Sequence, residues 1–220
     1  MRLLVLNANS TQAITDIVAA EARRAARADT EIVAATSTDG PPFIASRADN
    51  DAAIAPALAT ARRHADCDAV LIAASSDPGL ASLRAALPVP VVGMTEASAY
   101  TACMLGGRFG MLVFGGANLP IYRGVIEGYG LGGRLMGVEL LELPPLADFI
   151  AAGGTWTALD PPIIAAAERL VAQGADAVLL PSAALAPVAR RIQPRLPVPV
   201  LDGIACGVKL CEAVAGLAPR

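Results

Sequence analysis

The chain contains two segments that repeat one pattern. Residues 68–97 read DAVLIAASSDPGL…LPVPVVGMTEA, and residues 176–206 read DAVLLPSAALAP…LPVPVLDGIAC. The two blocks within each segment occur in the same order, and their spacing differs by one residue. Two matching blocks at nearly the same spacing are hard to obtain by chance, so they indicate an internal duplication. We therefore predict two related halves that meet near Leu105–Arg108.

Short apolar runs alternate along the chain with longer alanine-rich stretches. Such runs, bounded by turn residues, are typical of strands buried on both faces, and their alternation with helices predicts parallel sheets. The predicted strands are Leu3–Leu6, Glu31–Ala35, Ala69–Ala73, Val89–Gly93, Phe109–Phe114, Gly137–Leu143, Ala177–Leu180 and Val198–Leu201. The predicted helices are Thr11–Arg27, Asp49–His64, Gly79–Ala86, Thr95–Leu105, Pro120–Tyr129, Pro161–Gln173, Ala186–Gln193 and Gly203–Ala215.

The predicted fold class is α/β, with two pseudo-symmetric parallel-sheet lobes and a cleft between them. We expect residues 1–105 and 206–220 to form the first lobe and residues 106–205 to form the second. Ligands of parallel α/β sheets bind beyond the carboxyl ends of the strands. With two similar lobes, the inter-lobe cleft is the expected ligand site.

Composition excludes several classes of protein. Of the 220 residues, 55% are hydrophobic and 17% are charged, so intrinsic disorder is not expected. Acidic residues outnumber basic ones, 20 to 17, which argues against a nucleic-acid partner. The apolar runs are shorter than the roughly 18 residues of a membrane span, so no membrane partner is expected. Four cysteines without paired spacing point to the cytoplasm.

Polar residues follow several predicted strands. The first strand runs into Asn7-Ala8-Asn9-Ser10-Thr11, and the third runs into Ala74-Ser75-Ser76-Asp77. The equivalent strand of the second half ends in Pro181-Ser182-Ala183-Ala184, so Ala74 and Ser182 occupy equivalent positions. These side chains either cap helices and start turns, or hold an anionic, amide or enolate-like ligand. Thr95, and Asn118 within Gly115-Gly116-Ala117-Asn118, add further donors.

Metal, nucleotide and catalytic-triad chemistry are not predicted. His64 is the only histidine and ends a charged helix, so we expect a solvated side chain and no Ser-His-Asp triad. Neither metal-ligand spacing nor G-x-G-x-x-G is present, so no cofactor is expected. Cys67, Cys103, Cys206 and Cys211 fall in or beside predicted helices. Among them, Cys206 near a helix start is the candidate for a depressed pKa.

These landmarks together resemble the hydantoin racemase branch of the aspartate/glutamate racemase superfamily. The matching segments are N-A-N-S-T at 7–11, D-P-G-L at 77–80, G-M-T-E-A at 93–97, Y-G-L at 129–131 and V-P-V-L-D-G at 198–203. The resemblance covers nearly the whole chain and implies two α/β lobes with the ligand between them. It also implies a cofactor-independent isomerase in which one cysteine per lobe transfers the substrate's α-proton. A tuned thiolate suits that role.

Both cysteine positions implied by the resemblance are replaced in this sequence. Where the family pattern C-x-x-D-P-G-L has its cysteine, this sequence has Ala74. Where the pattern G-C-[AG]-G-M has its cysteine, this sequence has Ser182. Alanine carries no base, and a serine hydroxyl is a poor base without a partner, so two-thiol racemisation is not expected. Engineered inactivation and natural divergence are both open. The loss of the flanking glycines, at Pro181 and Ala184, favours divergence. The related arylmalonate decarboxylases, which keep one cysteine, imply that this cleft accepts other carbanion chemistry.

We therefore expect a cytoplasmic, homo-oligomeric enzyme of this racemase family. It would act on a small carboxylate or a cyclic amide such as a hydantoin, through an enolate-like intermediate. The alternatives are a diverged member that performs decarboxylation, elimination or ring hydrolysis, and a non-catalytic module that binds a small ligand. The residues expected in catalysis are Ser182, Ser75 and Ser76. The residues expected to bind substrate are Asn7, Asn9, Ser10, Thr11, Ala74, Thr95, Asn118 and Ala183.

Overall fold

The structure, a computed structural model, describes residues 1–114, 119–143 and 156–217. The strands are β1 (Arg2–Asn7), β2 (Glu31–Thr36), β3 (Ala69–Ile72), β4 (Val91–Gly93), β5 (Phe109–Phe114), β6 (Leu135–Leu141), β7 (Ala177–Leu180) and β8 (Val200–Asp202). The helices are α1 (Gln12–Ala25), α2 (Arg47–Arg62), α3 (Leu80–Ala86), α4 (Met94–Leu105), α5 (Leu119–Gly128), α6 (Asp160–Ala172), α7 (Ala186–Ile192) and α8 (Gly203–Ala215). Short 3-10 helices include Gly132–Arg134 and Ala183–Leu185.

The two halves have the same sheet topology. The first sheet has the order β2-β1-β3-β4, and the second has the order β6-β5-β7-β8, with parallel pairing throughout. The repeated sequence blocks therefore form equivalent strands, β3 with β7 and β4 with β8. The predicted α/β fold with two parallel-sheet lobes is confirmed. Each predicted strand and helix is present, with its ends shifted by at most two residues.

Strands β4 and β8 begin two residues later than predicted, and proline explains both shifts. Pro90 and Pro199 lack an N–H group and cannot donate to a neighbouring strand. Their carbonyl groups instead accept the N–H groups of Val70 and Val178, each at 2.9 Å. The repeated L-P-V-P-V block therefore makes the same contact in both halves.

The aspartate that opens each repeat also has the same contact in both halves. One carboxylate oxygen of Asp68 accepts the N–H of Arg2 at 2.7 Å, at the start of β1. One carboxylate oxygen of Asp176 accepts the N–H groups of Gly107 and Arg108 at 2.8 and 2.9 Å, directly before β5. Each aspartate thus fixes the start of the neighbouring central strand.

The core of the first half lies on both faces of its sheet. Leu3 and Val5 face α1 and α8, whereas Leu4 and Leu6 face α2 and α3. Because side chains alternate along a strand, a continuous L-L-V-L run fills both sides. The second sheet is covered in the same way, by α6 and α7 on one face and by α4 and α5 on the other. Within the described ranges, no helix is long and apolar enough to cross a membrane.

The last helix of each half packs against the sheet of the other half. Ala99 and Ala102 of α4 join the cluster built on β5 and β7, while Ile204 and Val208 of α8 join the cluster built on β1 and β3. Gly207 permits this packing, because a Cβ there would overlap the side chain of Leu71. The exchange of helices holds the two sheets side by side.

Candidate functional site between the two halves

Two contacts between the halves flank the carboxyl ends of the central strands. The hydroxyl of Ser75, after β3, lies 3.0 Å from the hydroxyl of Tyr122 on α5. Ala183 and Ala184, after β7, pack in one apolar cluster with Ile14 of α1. The repeat makes these contacts equivalent, since each joins a strand end of one half to the helix that follows the central strand of the other. The predicted site residues that the structure describes lie on the segments after β1, β3 and β7 and at the start of α4.

Asn7 braces the segment that follows β1. Its side chain is fully buried, and its amide group donates to the side-chain oxygens of Asn9 and Thr15, each at 3.0 Å. It also donates to the carbonyl of Thr11 at 3.2 Å, and its oxygen accepts the N–H of Asn9. Because these bonds use its donors, Asn7 shapes the segment and has no free N–H for a ligand.

The other polar groups after β1 divide into bound and available ones. Thr11 donates its hydroxyl to the carbonyl of Pro42 at 2.6 Å. The side-chain amide N–H of Asn9 and the hydroxyl of Ser10 donate to no group in the part of the chain that the structure describes. No side chain caps α1 through a hydrogen bond, so the capping interpretation of this segment is wrong and the helix start is available to an anion.

The segment after β3 presents one methyl group and two hydroxyl groups. Ala74 is buried, and Ser75 is half-buried beside Tyr122. The hydroxyl of Ser76 is buried and has no hydrogen-bond partner within the described residues. A buried hydroxyl without a partner costs free energy, so Ser76 is a group that a ligand or a small displacement of the segment would satisfy.

Thr95 holds the Ser75 segment in place and has no donor left for a ligand. Its hydroxyl donates to the carbonyl of Ser75 at 2.6 Å, and its N–H donates to the carboxylate of Asp77 at 3.2 Å. The side chain of Thr95 is fully buried at the start of α4. Thr95 therefore makes positioning contacts in this structure, and its predicted contact with substrate stays a prediction.

Asp77 ties the segment after β3 to the start of α4. Its two carboxylate oxygens accept the N–H groups of Thr95 and Glu96, the latter at 2.8 Å, and the hydroxyl of Tyr129 at 2.7 Å. The carboxyl group is fully buried, and this burial raises its pKa to about 7 in spite of the three donors. Burial also raises the pKa of Tyr129, so the phenol remains the donor of this bond.

In the second half, a different residue accepts the N–H groups at the start of the last helix. Asp202 caps α8 directly, because its carboxylate accepts the N–H groups of Ile204 and Ala205 at 2.9 and 3.1 Å. Burial raises the pKa of Asp202 to about 7 as well. The equivalent position in the first half is Gly93, where a Cβ would overlap the Asp77 carboxyl group. A buried carboxylate therefore stands at both helix starts, supplied by different positions of the repeat.

These two carboxylates predict a stability that falls as pH rises. Each has a folded pKa near 7 against 3.8 for the free group, so the fold retains a proton that the unfolded chain loses. The free energy of unfolding should therefore decrease between about pH 4 and pH 7, by about 1–4 kcal/mol per group, and then level off. Urea unfolding at about pH 5 and pH 8 measures the difference.

The substitutions Asp77→Asn and Asp202→Asn should each reduce this pH-dependent difference by roughly half, because each removes one of two similar titrating groups. Asp51→Asn, at an exposed position of α2, serves as the control and should leave it unchanged. If the free energy of unfolding changes with pH by the same amount in all three variants and in the unsubstituted protein, neither buried carboxyl group retains its proton.

Ser182 follows β7 by two residues, and its hydroxyl stands at the position that the repeat pairs with the methyl group of Ala74. It is buried, and its oxygen accepts the N–H of Leu185 at 3.3 Å, which caps the following 3-10 helix. Its own O–H donates to no described group. No base contacts the hydroxyl among the described residues, so Ser182 can donate a hydrogen bond but is not activated as a base. Ala183 is half-buried beside it.

Other sequence expectations are corrected or fall outside the described residues. Cys206 is the candidate for a depressed pKa, but partial burial raises its pKa to about 12, so that candidate is wrong. Burial likewise raises the pKa values of Cys67 and Cys211. Asn118 and its neighbours 115–117 lie outside the described residues. His64 follows α2 and precedes the first residue of β3.

Sequence reasoning missed the contribution of the tyrosines. Tyr122 and Tyr129 reach from the second half to Ser75 and Asp77 of the first. The seven-residue spacing of the two tyrosines, which places them on one face of a helix, is a signal that could have identified them. Within the described ranges, no group of three or more His, Cys, Asp and Glu side chains is placed to hold a metal ion.

Comparisons with known proteins agree with this architecture. A family model described as Asp/Glu/Hydantoin racemase matches residues 3–211. Hydantoin racemases from Pseudomonas sp. (strain NS671) and Rhizobium meliloti are 32% and 30% identical, over 100% and 98% of this chain and 88% and 89% of theirs. The structure of allantoin racemase from Klebsiella pneumoniae has a TM-score of 0.91 at 30% identity, covering 99% of this chain and 88% of that one. The chain therefore belongs to the Asp/Glu/hydantoin racemase family of enzymes.

Proposed function

We propose that the protein binds a small carboxylate or a hydantoin-like cyclic amide in the cleft and stabilises its enolate-like form without a cofactor. The observation that carries the proposal is the set of unused donors at the two strand ends, namely the Asn9 amide and the Ser10 hydroxyl after β1 and the Ser182 hydroxyl after β7. Donors fixed in a buried site stabilise negative charge that develops on a substrate oxygen. The racemase relatives act on substrates of this class by their names.

The side chains at the equivalent positions after β3 and β7 differ, and this difference affects which reaction the site can perform. The first half presents the Ala74 methyl group where the second half presents the Ser182 hydroxyl. We infer that neither end supplies the thiolate that the family resemblance implies. Proton abstraction from carbon, which depends on a base, should then be slow in this chain compared with a racemase that has a base on each face.

This inequality favours decarboxylation as the second candidate. Loss of CO2 leaves the bonding electron pair on the substrate as an enolate, so no base is needed to begin the reaction. A proton must then reach the carbon from one face only, either from water or along the side that carries Ser182. Elimination and ring hydrolysis have no comparable support in the arrangement of these residues.

Exchange of the substrate α-proton tests the main proposal. We expect the protein to accelerate the loss of the C5 proton signal of 5-methylhydantoin or allantoin in deuterated buffer, followed by NMR. Ser182→Ala should reduce the rate by about 10²-fold, because one donor to the enolate oxygen is lost. Ser82→Ala, at an exposed position of α3, is the matched control.

Two other outcomes decide between the alternatives. Release of CO2 from a 2-substituted malonate without exchange of the hydantoin proton would support decarboxylation. Calorimetric binding of either compound with neither reaction would support a non-catalytic binding module. Absence of both binding and exchange would contradict the site assignment itself.

We further propose that the protein acts in the cytoplasm as a homo-oligomer. All four cysteines are free thiols, which suits a reducing compartment. Met104 and Leu105 at the end of α4 are well exposed, and such apolar side chains support contact with a second copy. We retain the lobe boundaries 1–105 with 206–220 and 106–205 as a proposal. The packing of α8 on the first sheet supports the assignment of 206–220 to the first lobe, whereas α4 packs on the second sheet.

A further inference from the structure

Helix α5 makes two hydrogen-bonded contacts with the opposite half through tyrosines. Tyr122 lies on the helix, and Tyr129 directly follows it, with its N–H still bonded to the carbonyl of Val125. Seven residues are about two helical turns, so both side chains project from the same face. That face is directed at the end of β3.

The residues that receive these contacts are separated by one residue. Tyr122 meets the hydroxyl of Ser75 at 3.0 Å, and Tyr129 donates to Asp77 at 2.7 Å. Ser76 lies between them, and its hydroxyl has no hydrogen-bond partner in the described part of the chain. The turn is also held from its own half, because Thr95 donates to both the Ser75 carbonyl and the Asp77 carboxylate. The segment that carries three predicted site residues is therefore fixed from both halves at once.

Each contact joins a buried side chain to a half-buried one. Tyr122 is 5% exposed and Asp77 is 4% exposed, whereas Ser75 and Tyr129 are half-buried. Loss of either hydrogen bond would therefore leave one buried polar group without this partner, which costs free energy. Burial raises the pKa of both phenols, which excludes them as bases near neutral pH. Their role is therefore to hold geometry.

We propose that Tyr122 and Tyr129 act as positioning residues that set the Ala74–Asp77 segment in its ligand-binding arrangement across the two halves. The inference rests on the proposed function, because the segment is placed in the cleft by that proposal. Among the described residues, no equivalent of this two-tyrosine contact occurs at the end of β7, where the first half meets Ala183 and Ala184 through apolar packing instead. The positioning is thus a property of the Ala74 side alone.

Hydrogen–deuterium exchange of the full chain tests, without any ligand, whether the two tyrosines hold the Ala74–Asp77 segment in place. We expect the variant Tyr122→Phe/Tyr129→Phe to exchange about tenfold faster in residues 72–80 of the first half as well as in residues 119–131. Residues 2–7 of β1 serve as an internal reference and should not change. Tyr100→Phe is the control, since its hydroxyl bonds to the carbonyl of Tyr129 and not to the segment after β3. Unchanged exchange at 72–80 would overturn the proposal.

Kinetics then separate positioning from plain structural support. With 5-methylhydantoin as the probe, kcat for proton exchange should fall about tenfold in the double variant, while KM changes by less than about threefold. Faster exchange at 72–80 with kcat unchanged would overturn the positioning role. If the unchanged chain shows no proton exchange at all, the proposed function fails. In that case, deuterium exchange still decides whether the tyrosines hold the segment. Faster exchange at 72–80 in the double variant would support that role, and unchanged exchange there would overturn it.

Discussion

The double substitution Ala74→Cys/Ser182→Cys should increase racemisation of 5-methylhydantoin by about 10²–10⁴-fold, the usual contribution of a positioned acid–base group. The repeat places these positions at equivalent strand ends, β3 in one half and β7 in the other. A thiol at each end would approach the substrate carbon from opposite faces. The rate of optical rotation loss from a single enantiomer measures the effect.

The single variants are the controls for this prediction. Either one alone provides one thiol, so it should accelerate proton exchange in deuterated buffer more than it accelerates racemisation. Because Ala74 is buried, its added sulfur atom costs about 1–3 kcal/mol of stability, which thermal unfolding would reveal. A folded double variant that gains no activity would contradict the view that the cleft retains racemase geometry, and would favour diverged chemistry.

The substitution Asp77→Ala should lower the free energy of unfolding by about 2–4 kcal/mol. It leaves the N–H groups of Thr95 and Glu96 and the hydroxyl of Tyr129 without their acceptor. The loss exceeds the gain from no longer burying a carboxyl group, because three buried donors are left unsatisfied. Urea unfolding gives the value.

The second half shows how this loss can be recovered. Gly93 has φ −85° and ψ 143°, and Asp202 has φ −79° and ψ 126°, so the backbone at 93 already suits a capping aspartate. Gly93→Asp alone should destabilise, by about 3 kcal/mol or more, because it collides with the Asp77 carboxyl group. Combined with Asp77→Ala, the same substitution should restore at least about 1 kcal/mol. Simple additivity of the two losses would contradict the equivalence of the caps.

The sequence repeat predicted much of the fold because its contacts are local or belong to adjacent strands. Asp68 and Asp176 bind the backbone at the starts of β1 and β5. The second prolines of the L-P-V-P-V blocks accept hydrogen bonds from β3 and β7. Such contacts follow once parallel pairing is assumed. The polar ends of β1, β3 and β7 could be placed at one edge for the same reason.

The contacts between the halves could not be predicted in this way. Whether α4 covers its own sheet or the other depends on packing volumes. Gly207 allows α8 to pack beside Leu71, but nothing in the sequence around it indicates that close approach. The pairing of Tyr129 with Asp77 joins residues 52 positions apart on different halves. The raised pKa of Cys206 likewise comes from burial by distant segments, not from its place near a helix start.

The position of a bound substrate analogue tests the central claim most directly. A crystal structure of the protein with allantoin should show the ligand between the two halves, at the carboxyl ends of β1, β3 and β7. Its oxygens should accept hydrogen bonds from the Asn9 amide and the Ser182 hydroxyl, with the Ala74 methyl group on the opposite side. A ligand bound outside this cleft, with the cleft itself unfilled at saturating concentration, would contradict the account.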